Sequence, residues 1–404
     1  MNKKRNRLRL VHYRYNQIVI TMSLYRLDQT LDAVRRRIKK EKYSDDHKKE
    51  IFRFENFLYT ESLSTFRIIK HLTQINVIFR TFPILSTKLT EDDVITIIGW
   101  IEKTKINNET NTSYKTTLKK YLTFQKSKKL ISIIKFKKRK TNPILPEEIL
   151  TEDEITRLIN TATSERNRAF IAGIYEAGAR ISEFGTMKIK HLTIDEFGLK
   201  ATVSGKTGMR IVRLVFSTPY ILNWLDVHPY RDNPEAPLWI TDARAGGKPR
   251  QIEYAGFRKL IRETAAKANI KKRIYNQLFR HSRITHMASK LTESQLKIIY
   301  GWTPDSNMPK IYIHLSGQDV EDAVLNIYGL KKSEDKTPTI GIIRCIRCRQ
   351  SIPTINKFCP YCGAIQTTET AIELINFEEK AKNLMFRILK ENPELISILE
   401  EIQH

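Results

Sequence analysis

Four cysteines, Cys345, Cys348, Cys359 and Cys362, are gathered in one short segment as C-x2-C, ten intervening residues and C-x2-C. Pro360 and Gly363 stand beside the second pair. Thiolates at that spacing wrap one tetrahedral Zn2+ through two tight turns. Four sulfur ligands leave no open position, so one structural Zn2+ per chain is expected, against a redox pair as the competing reading. A disulfide framework would spread its cysteines along the chain, and their confinement to one segment argues for a reducing compartment. A second cluster is cationic. The stretch QLFRHSRITH, residues 277–286, holds two arginines and two histidines, a density that asks for an anion. Other charged residues say little singly. Arg180, in EAGARISEF, reads as an arginine paired with a nearby glutamate, and Lys206 as a solvated turn residue.

The elements that must position these groups fall into segments. A length of 404 residues suggests two or three domains, and 41% hydrophobic with 28% charged residues is a globular composition. Lys and Arg number 70 against 44 Asp and Glu, a net charge of +26. A lysine-rich solvated surface accounts for part of that excess; a polyanion, nucleic acid before an anionic membrane, accounts for the rest. Residues 1–42 form a basic extension whose apolar run, Gln17 to Tyr25, is too short for a membrane span and lacks a cleavage site. Over 43–136 Leu, Ile and Phe recur at three- and four-residue spacing, which predicts a helical bundle with Thr90 capping one helix. A cationic, proline-interrupted linker occupies 137–148. The second domain, 149–330, opens on a Thr151–Glu154 capping box and runs through helices to three short strands, LTID, LKATVSG and MRIVRLV. The last two are joined at Gly205-Lys206-Thr207-Gly208, and helices resume with Pro219. The cysteine segment, 341–366, and an amphipathic, acid-leaning helical tail, 367–404, complete the chain. The fold expected is mainly α with a small β-sheet, an α+β class.

In chain order, GARISEF, SGKTGMRIVRL, LFRHSRITH, YGW and IYIHL resemble the motifs of the tyrosine recombinase (phage integrase) family. The resemblance covers about residues 45–330 and is closer in the second domain. The four-cysteine zinc ribbon resembles that of some archaeal members. The resemblance implies that 43–136 is a core-binding, DNA-binding domain and 149–330 a catalytic domain of the DNA breaking-rejoining type. It matches Arg180 and Arg280 to the family's two arginines, Lys206 to its lysine, Trp302 to its His/Trp position and Tyr312 to its tyrosine. The family's histidine lies three residues before the second arginine, and there this chain has Gln277. Such types suit the chemistry. Two guanidiniums fork onto the non-bridging oxygens of a phosphodiester under attack, Tyr312 attacks it, and Lys206 protonates the departing 5′-oxygen. The ester to tyrosine stores the bond energy, so no ATP is expected, and nothing in the sequence suggests a catalytic metal. Trp302 offers its indole N–H to the phosphate or packs against the tyrosine segment. His281 buttresses the site, while Arg283, His286 and His314 read as packing residues.

The resemblance therefore implies a site-specific DNA recombinase or integrase that cleaves and rejoins strands through a covalent 3′-phosphotyrosyl intermediate. Its partners would be double-stranded DNA and further copies of itself, four in synapsis, in a prokaryotic cytoplasm. Two rivals share the residues. A type IB topoisomerase uses the same chemistry without synapsis, and a DNA-binding protein that has lost cleavage is made credible by Gln277. Membrane binding is disfavoured, since the cations are spread over folded segments rather than one amphipathic stripe.

Overall fold

The computed structural model describes residues 24–83, 89–104, 107–136, 145–242, 248–315, 328 and 341–392. Residues 1–23 of the expected extension, 137–144 of the linker, most of 316–340 and the end of the tail from 393 lie outside them. Two compact units divide the chain, Met1–Pro143 and Ile144–His404.

The first unit is a bundle of helices: α1 (Leu27–Lys40), α2 (Asp45–Thr60), α3 (Thr65–Thr81), α4 (Glu91–Lys103), α5 (Asn108–Phe124) and the short α6 (Lys128–Ile133). Side chains at helical spacing bury together: Ile51, Phe54 and Leu58 from α2, Ile68, Leu72 and Ile75 from α3, Leu118 and Tyr121 from α5. Thr90 caps α4 through a reciprocal capping box with Asp93. The bundle begins earlier than residue 43. Leu31, Val34 and Ile38 of α1 enter the same core, although the sequence reading placed them in a basic extension. The surrounding arginines and lysines lie on the other faces of that helix and obscured its three apolar positions.

The second unit combines helices with a small sheet. It runs α7 (Glu152–Thr161), α8 (Glu165–Ala177), α9 (Ile181–Phe184), β1 (Leu192–Asp195), β2 (Gly198–Gly205), β3 (Gly208–Leu214), α10 (Thr218–Asp226), α11 (Tyr254–Lys267), α12 (Asn276–Ala288), α13 (Glu293–Tyr300) and α14 (Met308–Leu315). The strands pair antiparallel in the order β1-β2-β3, with Leu192 opposite Ala201 and Gly205 opposite Gly208. On β2, Leu199, Ala201 and Val203 are buried while the residues between them are not, the alternation of a half-buried strand. Phe170 of α8 stacks on Phe257 of α11 at 4.4 Å and meets Trp239 edge-on at 5.4 Å. Glu176, near the end of α8, accepts hydrogen bonds from the backbone N–H groups of Val215, Phe216 and Ser217 at 2.7–2.9 Å. The exit of β3 is thereby fixed against the helix that leads into Arg180. Beyond these elements β4 (Ile342–Arg344) pairs antiparallel with β5 (Ser351–Pro353), and α15 (Thr368–Glu391) follows. The described chain is mainly helical with small sheets, the α+β class expected. No helix among the described residues is long and apolar enough to cross a membrane.

Candidate active site

Two arginines bond to one glutamate, and a third lies near them without an ion pair of its own among the described residues. Helix α8 stops at Gly178, whose φ of 52° is one a side chain resists, and a Cβ there would stand 2.5 Å from the Tyr300 ring. Two residues on, Arg180 caps α9. Its backbone N–H donates to Glu183 Oε2 at 3.1 Å and its Nη1 to Oε1 at 2.7 Å. Arg210, on β3, donates from Nη2 to the same Glu183 Oε2 at 2.7 Å and from Nε to the Ile299 carbonyl at 2.9 Å. Burial works to raise the Glu183 carboxyl, but the bonds from Arg210 and Arg180 outweigh it and hold the group below its usual range. Arg280, on α12, is only 2% exposed. Its Nη1 donates to the Gly178 carbonyl at 2.8 Å and its Nη2 to the Tyr300 carbonyl at 2.7 Å. The guanidinium also lies 5.6 Å from the ring centres of Tyr300 and Trp302. Burial, with Arg180 nearby, pulls Arg280 down to about 10, which still leaves it charged at neutral pH. Two guanidiniums bond to the one carboxylate and Arg280 adds a third charge, so the cluster keeps excess positive charge for an incoming anion. Two of the five N–H donors of Arg280 are spent on carbonyls that aim it, and the rest remain for that anion.

Tyr312, on α14, sits among aromatic rings and is 1% exposed. Its ring lies near-parallel to Trp302, with centroids 5.7 Å apart, and to His281 at 5.8 Å. The hydroxyl is 2.7 Å from His281 Nδ1. Burial pushes the phenol up to about 12, against the pull of Arg280. His281 is held down to about 4 by burial and then by Arg280, so its ring is neutral at pH 7. Trp302 is half-buried between Arg280 and Tyr312.

Lys206 is exposed at the tip of the β2–β3 hairpin, where Gly208 has a φ of 105°. The tip is tied down beside it. Thr207 Oγ1 donates to the Gly301 carbonyl at 3.0 Å, so hairpin and YGW corner are joined at Thr207 and again at Arg210. Gln277 is half-buried in the first turn of α12, one turn before Arg280 and thus on its side of the helix. The structure therefore gathers Arg180, Arg280, Trp302 and Tyr312, with Gln277 on the helix of Arg280 and Lys206 on a hairpin anchored to the same corner. Arg283 and His286 serve packing. The first lies over the Tyr175 ring at 5.4 Å, and the second has Nδ1 2.8 Å from the Tyr175 hydroxyl. The His314 side chain lies outside the described residues. Sequence reasoning passed over Glu183, Thr207 and Arg210, although all three stand inside the motifs GARISEF and SGKTGMRIVRL. Their signal was an ionisable or hydroxyl side chain within a turn of the residues first singled out.

A model of the phage integrase family matches residues 148–319. A tyrosine recombinase of Thermosipho africanus (strain TCF52B) is 28% identical to this chain over 183 residues, 44% of this chain and 60% of the relative. The tyrosine recombinase XerC of Salmonella typhi is 27% identical over 180 residues, 43% and 57% respectively. The chain thus spans about three fifths of the length of these relatives. Among solved structures, XerH site-specific recombinase bound to palindromic difH substrate, in a post-cleavage complex, gives a TM-score of 0.52 at 17% identity. It covers 76% of this chain and 97% of that one. A lambda integrase dimer bound to a COC′ core site gives 0.52 at 14% identity, covering 67% and 96%. At these identities the likeness is one of fold.

The four cysteines lie beyond the residues of the integrase match. Their sulfurs all fall within 4.8 Å of one another, with Cys345 and Cys362 at 3.6 Å and Cys348 and Cys359 at 3.6 Å. A tetrahedron with metal–sulfur distances of about 2.3 Å has edges of about 3.8 Å. The backbone N–H groups of Arg347 and Cys348 point at Cys345 Sγ from 3.4 and 3.5 Å. The set fits a tetrahedral thiophilic metal ion such as zinc.

Proposed function

We propose that the chain is a site-specific DNA recombinase of the integrase type. It would cleave and rejoin DNA strands through a 3′-phosphotyrosyl ester to Tyr312. The observation that carries this reading is the placement of the Tyr312 hydroxyl, within an integrase family domain, beside a buried arginine whose charge is not balanced by a partner of its own. Arg280 and Arg180 hold the scissile phosphate through its non-bridging oxygens and stabilise the charge that grows there during attack. Arg210 and Glu183 position Arg180. Lys206 delivers a proton to the 5′-oxygen as it leaves, from a hairpin held at Thr207. Trp302 supports both Arg280 and Tyr312. The tyrosyl ester keeps the free energy of the broken bond, so the reverse attack by a 5′-hydroxyl reseals the strand without ATP.

Double-stranded DNA is the substrate in this reading, in keeping with the net charge of +26 and with the DNA-bound state of XerH and lambda integrase in their structures. The chain would act in the cytoplasm as a homo-oligomer on DNA, by analogy with the dimeric lambda integrase complex, and as a tetramer when two sites are joined. Residues 43–136, extended by α1, would serve as the core-binding domain and 149–330 as the catalytic domain. Cys345, Cys348, Cys359 and Cys362 would hold one structural Zn2+, the archaeal-type ribbon, which supplies stability to residues 341–366 and no chemistry.

The test is a nicked suicide substrate carrying the host element's site. After denaturation, protein should remain covalently attached to the 3′ end of the cut strand, in EDTA as well as without it over a time too short to strip the cysteines. Tyr312→Phe should bind the same DNA with nearly unchanged affinity and yield no adduct. An adduct surviving in Tyr312→Phe protein would assign the attack to another residue.

A further inference from the structure

An attacking tyrosine must lose a proton, and the glutamine in this chain cannot take it. Gln277 matches the position where the family has a histidine, but a primary amide is no base near neutral pH. We propose that His281, the residue after Arg280, takes the proton from the Tyr312 hydroxyl and so supplies the base that Gln277 does not. The inference rests on the recombinase reading above.

Three observations place His281 in this role. Its Nδ1 lies 2.7 Å from Tyr312 Oη, the reacting atom, which is the geometry a general base needs. The two rings lie near-parallel, at 22° and 5.8 Å, so stacking holds that bond in line. The ring is largely buried and neutral, and with its proton on Nε2 it presents Nδ1 as an acceptor. The charged and titratable groups acting on this pair are Arg280 on its own helix, Arg180 at the start of α9 and Tyr275 before α12. No carboxylate pairs with His281 among the described residues. Burial and Arg280 oppose a charged imidazole. A bound phosphodiester reverses that balance. Its negative charge offsets the arginines and raises the affinity of His281 for a proton at the moment the phenol begins to lose one.

The step balances as follows. The Tyr312 hydroxyl proton passes to His281 Nδ1 while Oη forms its bond to phosphorus. The bond from phosphorus to the 5′-oxygen breaks, its electron pair leaves with that oxygen, and the oxygen takes a proton from the Lys206 ammonium. On rejoining, the 5′-hydroxyl returns its proton to Lys206 and the leaving phenolate recovers its own from His281.

The experiment is single-turnover cleavage of a saturating suicide substrate across pH 4–9, with His281→Gln and His281→Asn. A second substrate carries sulfur in place of the bridging 5′-oxygen, since a thiolate leaves without protonation. Both variants should bind DNA and cleave about 10²-fold more slowly at pH 7, the low end of what base assistance provides. Their deficit should persist on the sulfur substrate, whereas Lys206→Ala should be rescued by it. Wild-type cleavage of the sulfur substrate should hold from neutral pH downward and then fall with a one-proton slope as pH approaches the low value of His281, about 4 without DNA and higher with it bound, because protonated His281 cannot accept. Variants that cleave within about threefold of wild type, or that the sulfur substrate rescues, would overturn the proposal. So would a wild-type rate on sulfur that stays flat down to pH 4, a measurement that needs no variant to fold. Adduct formation by Tyr312→Phe would instead strike the recombinase reading itself.

Discussion

Arg280 keeps its charge where burial opposes it, and that conflict is the mark of an anion site. Two carbonyls, from Gly178 and Tyr300, aim the guanidinium without neutralising it. The types and order of Arg180, Lys206, Arg280, Trp302 and Tyr312 are readable in the chain because chemistry restricts which side chains can do each task. The contact of His281 with Tyr312 is not readable, since 31 residues separate them and only the packing of α12 on α14 joins their rings. Next to Arg280 in sequence, His281 looks like a support for the site; in space it touches the Tyr312 hydroxyl. Gln277 is the second case. From the first turn of α12 its amide can donate to a phosphate oxygen, and a hydrogen bond to a charged group contributes about 1.5–3 kcal/mol. Gln277→Ala should therefore form the covalent complex about 10- to 100-fold more slowly, with DNA binding nearly intact. Gln277→His keeps the donor and should cleave at least as fast as the wild-type chain. Initial rates for the three proteins on one suicide substrate decide this. Equal rates for Gln277→Ala and wild type would take residue 277 off the phosphate.

Among the elements, the short helix α9 and the β2–β3 hairpin are joined by Glu183, and this join was invisible in sequence. The strands themselves were legible. Buried Leu199, Ala201 and Val203 alternate with polar neighbours, and glycines at 205 and 208 permit the tight turn. What alternation cannot tell is which inward charge meets which. Glu183 is almost wholly buried, and it accepts from Arg180 on its own helix and Arg210 across the hairpin. Removing one member of a buried ionic network strands the others, at about 3–5 kcal/mol. Arg180 is about a third exposed, so water recovers part of that loss. Glu183→Ala should lower stability by about 3 kcal/mol, or about 6–12 °C in Tm for a domain of this size. Glu183→Gln, which keeps the shape and one acceptor oxygen, should lose less. Thermal unfolding of both variants measures the difference. A Glu183→Ala protein melting within about 2 °C of wild type would mean that the two arginines find solvent or other partners without it.

For the molecule as a whole, legibility followed size. Each of the two units buries its own extensive core, and long runs of periodic apolar residues announced both. The α1 helix was lost to the reading because three apolar residues among so many cations resemble a solvated arm. The cysteine segment is the opposite case: it has almost no core, and its ligands were its clearest signal. The fully buried residues of its apolar cluster are Cys345, Ile352 and Cys359, with Ile343 and Ala364 packed against them in part. So small a cluster cannot offset the conformational entropy of ordering the segment, which costs about 1–2 kcal/mol per residue of backbone. A metal held by the four thiolates would supply the difference, and metal binding there would then be equivalent to folding. Elemental analysis of reduced protein should find one Zn2+ per chain. Chelation should then open β4 and β5 to hydrogen exchange, while amides of α8 and β2, whose stability comes from the Phe170–Trp239–Phe257 cluster and from Glu176, stay protected. Tyr220, whose hydroxyl donates to Asn356 Oδ1 at 2.8 Å, ties the segment to α10. One such bond is too weak to hold the segment in place once the metal is gone. If the metal-free protein retains protection at Ile343 and Ile352, the four sulfurs are packing residues and the zinc assignment falls. If α8 opens together with β4, the cysteine segment is part of the fold of the helices and sheet before it rather than an appendage to them.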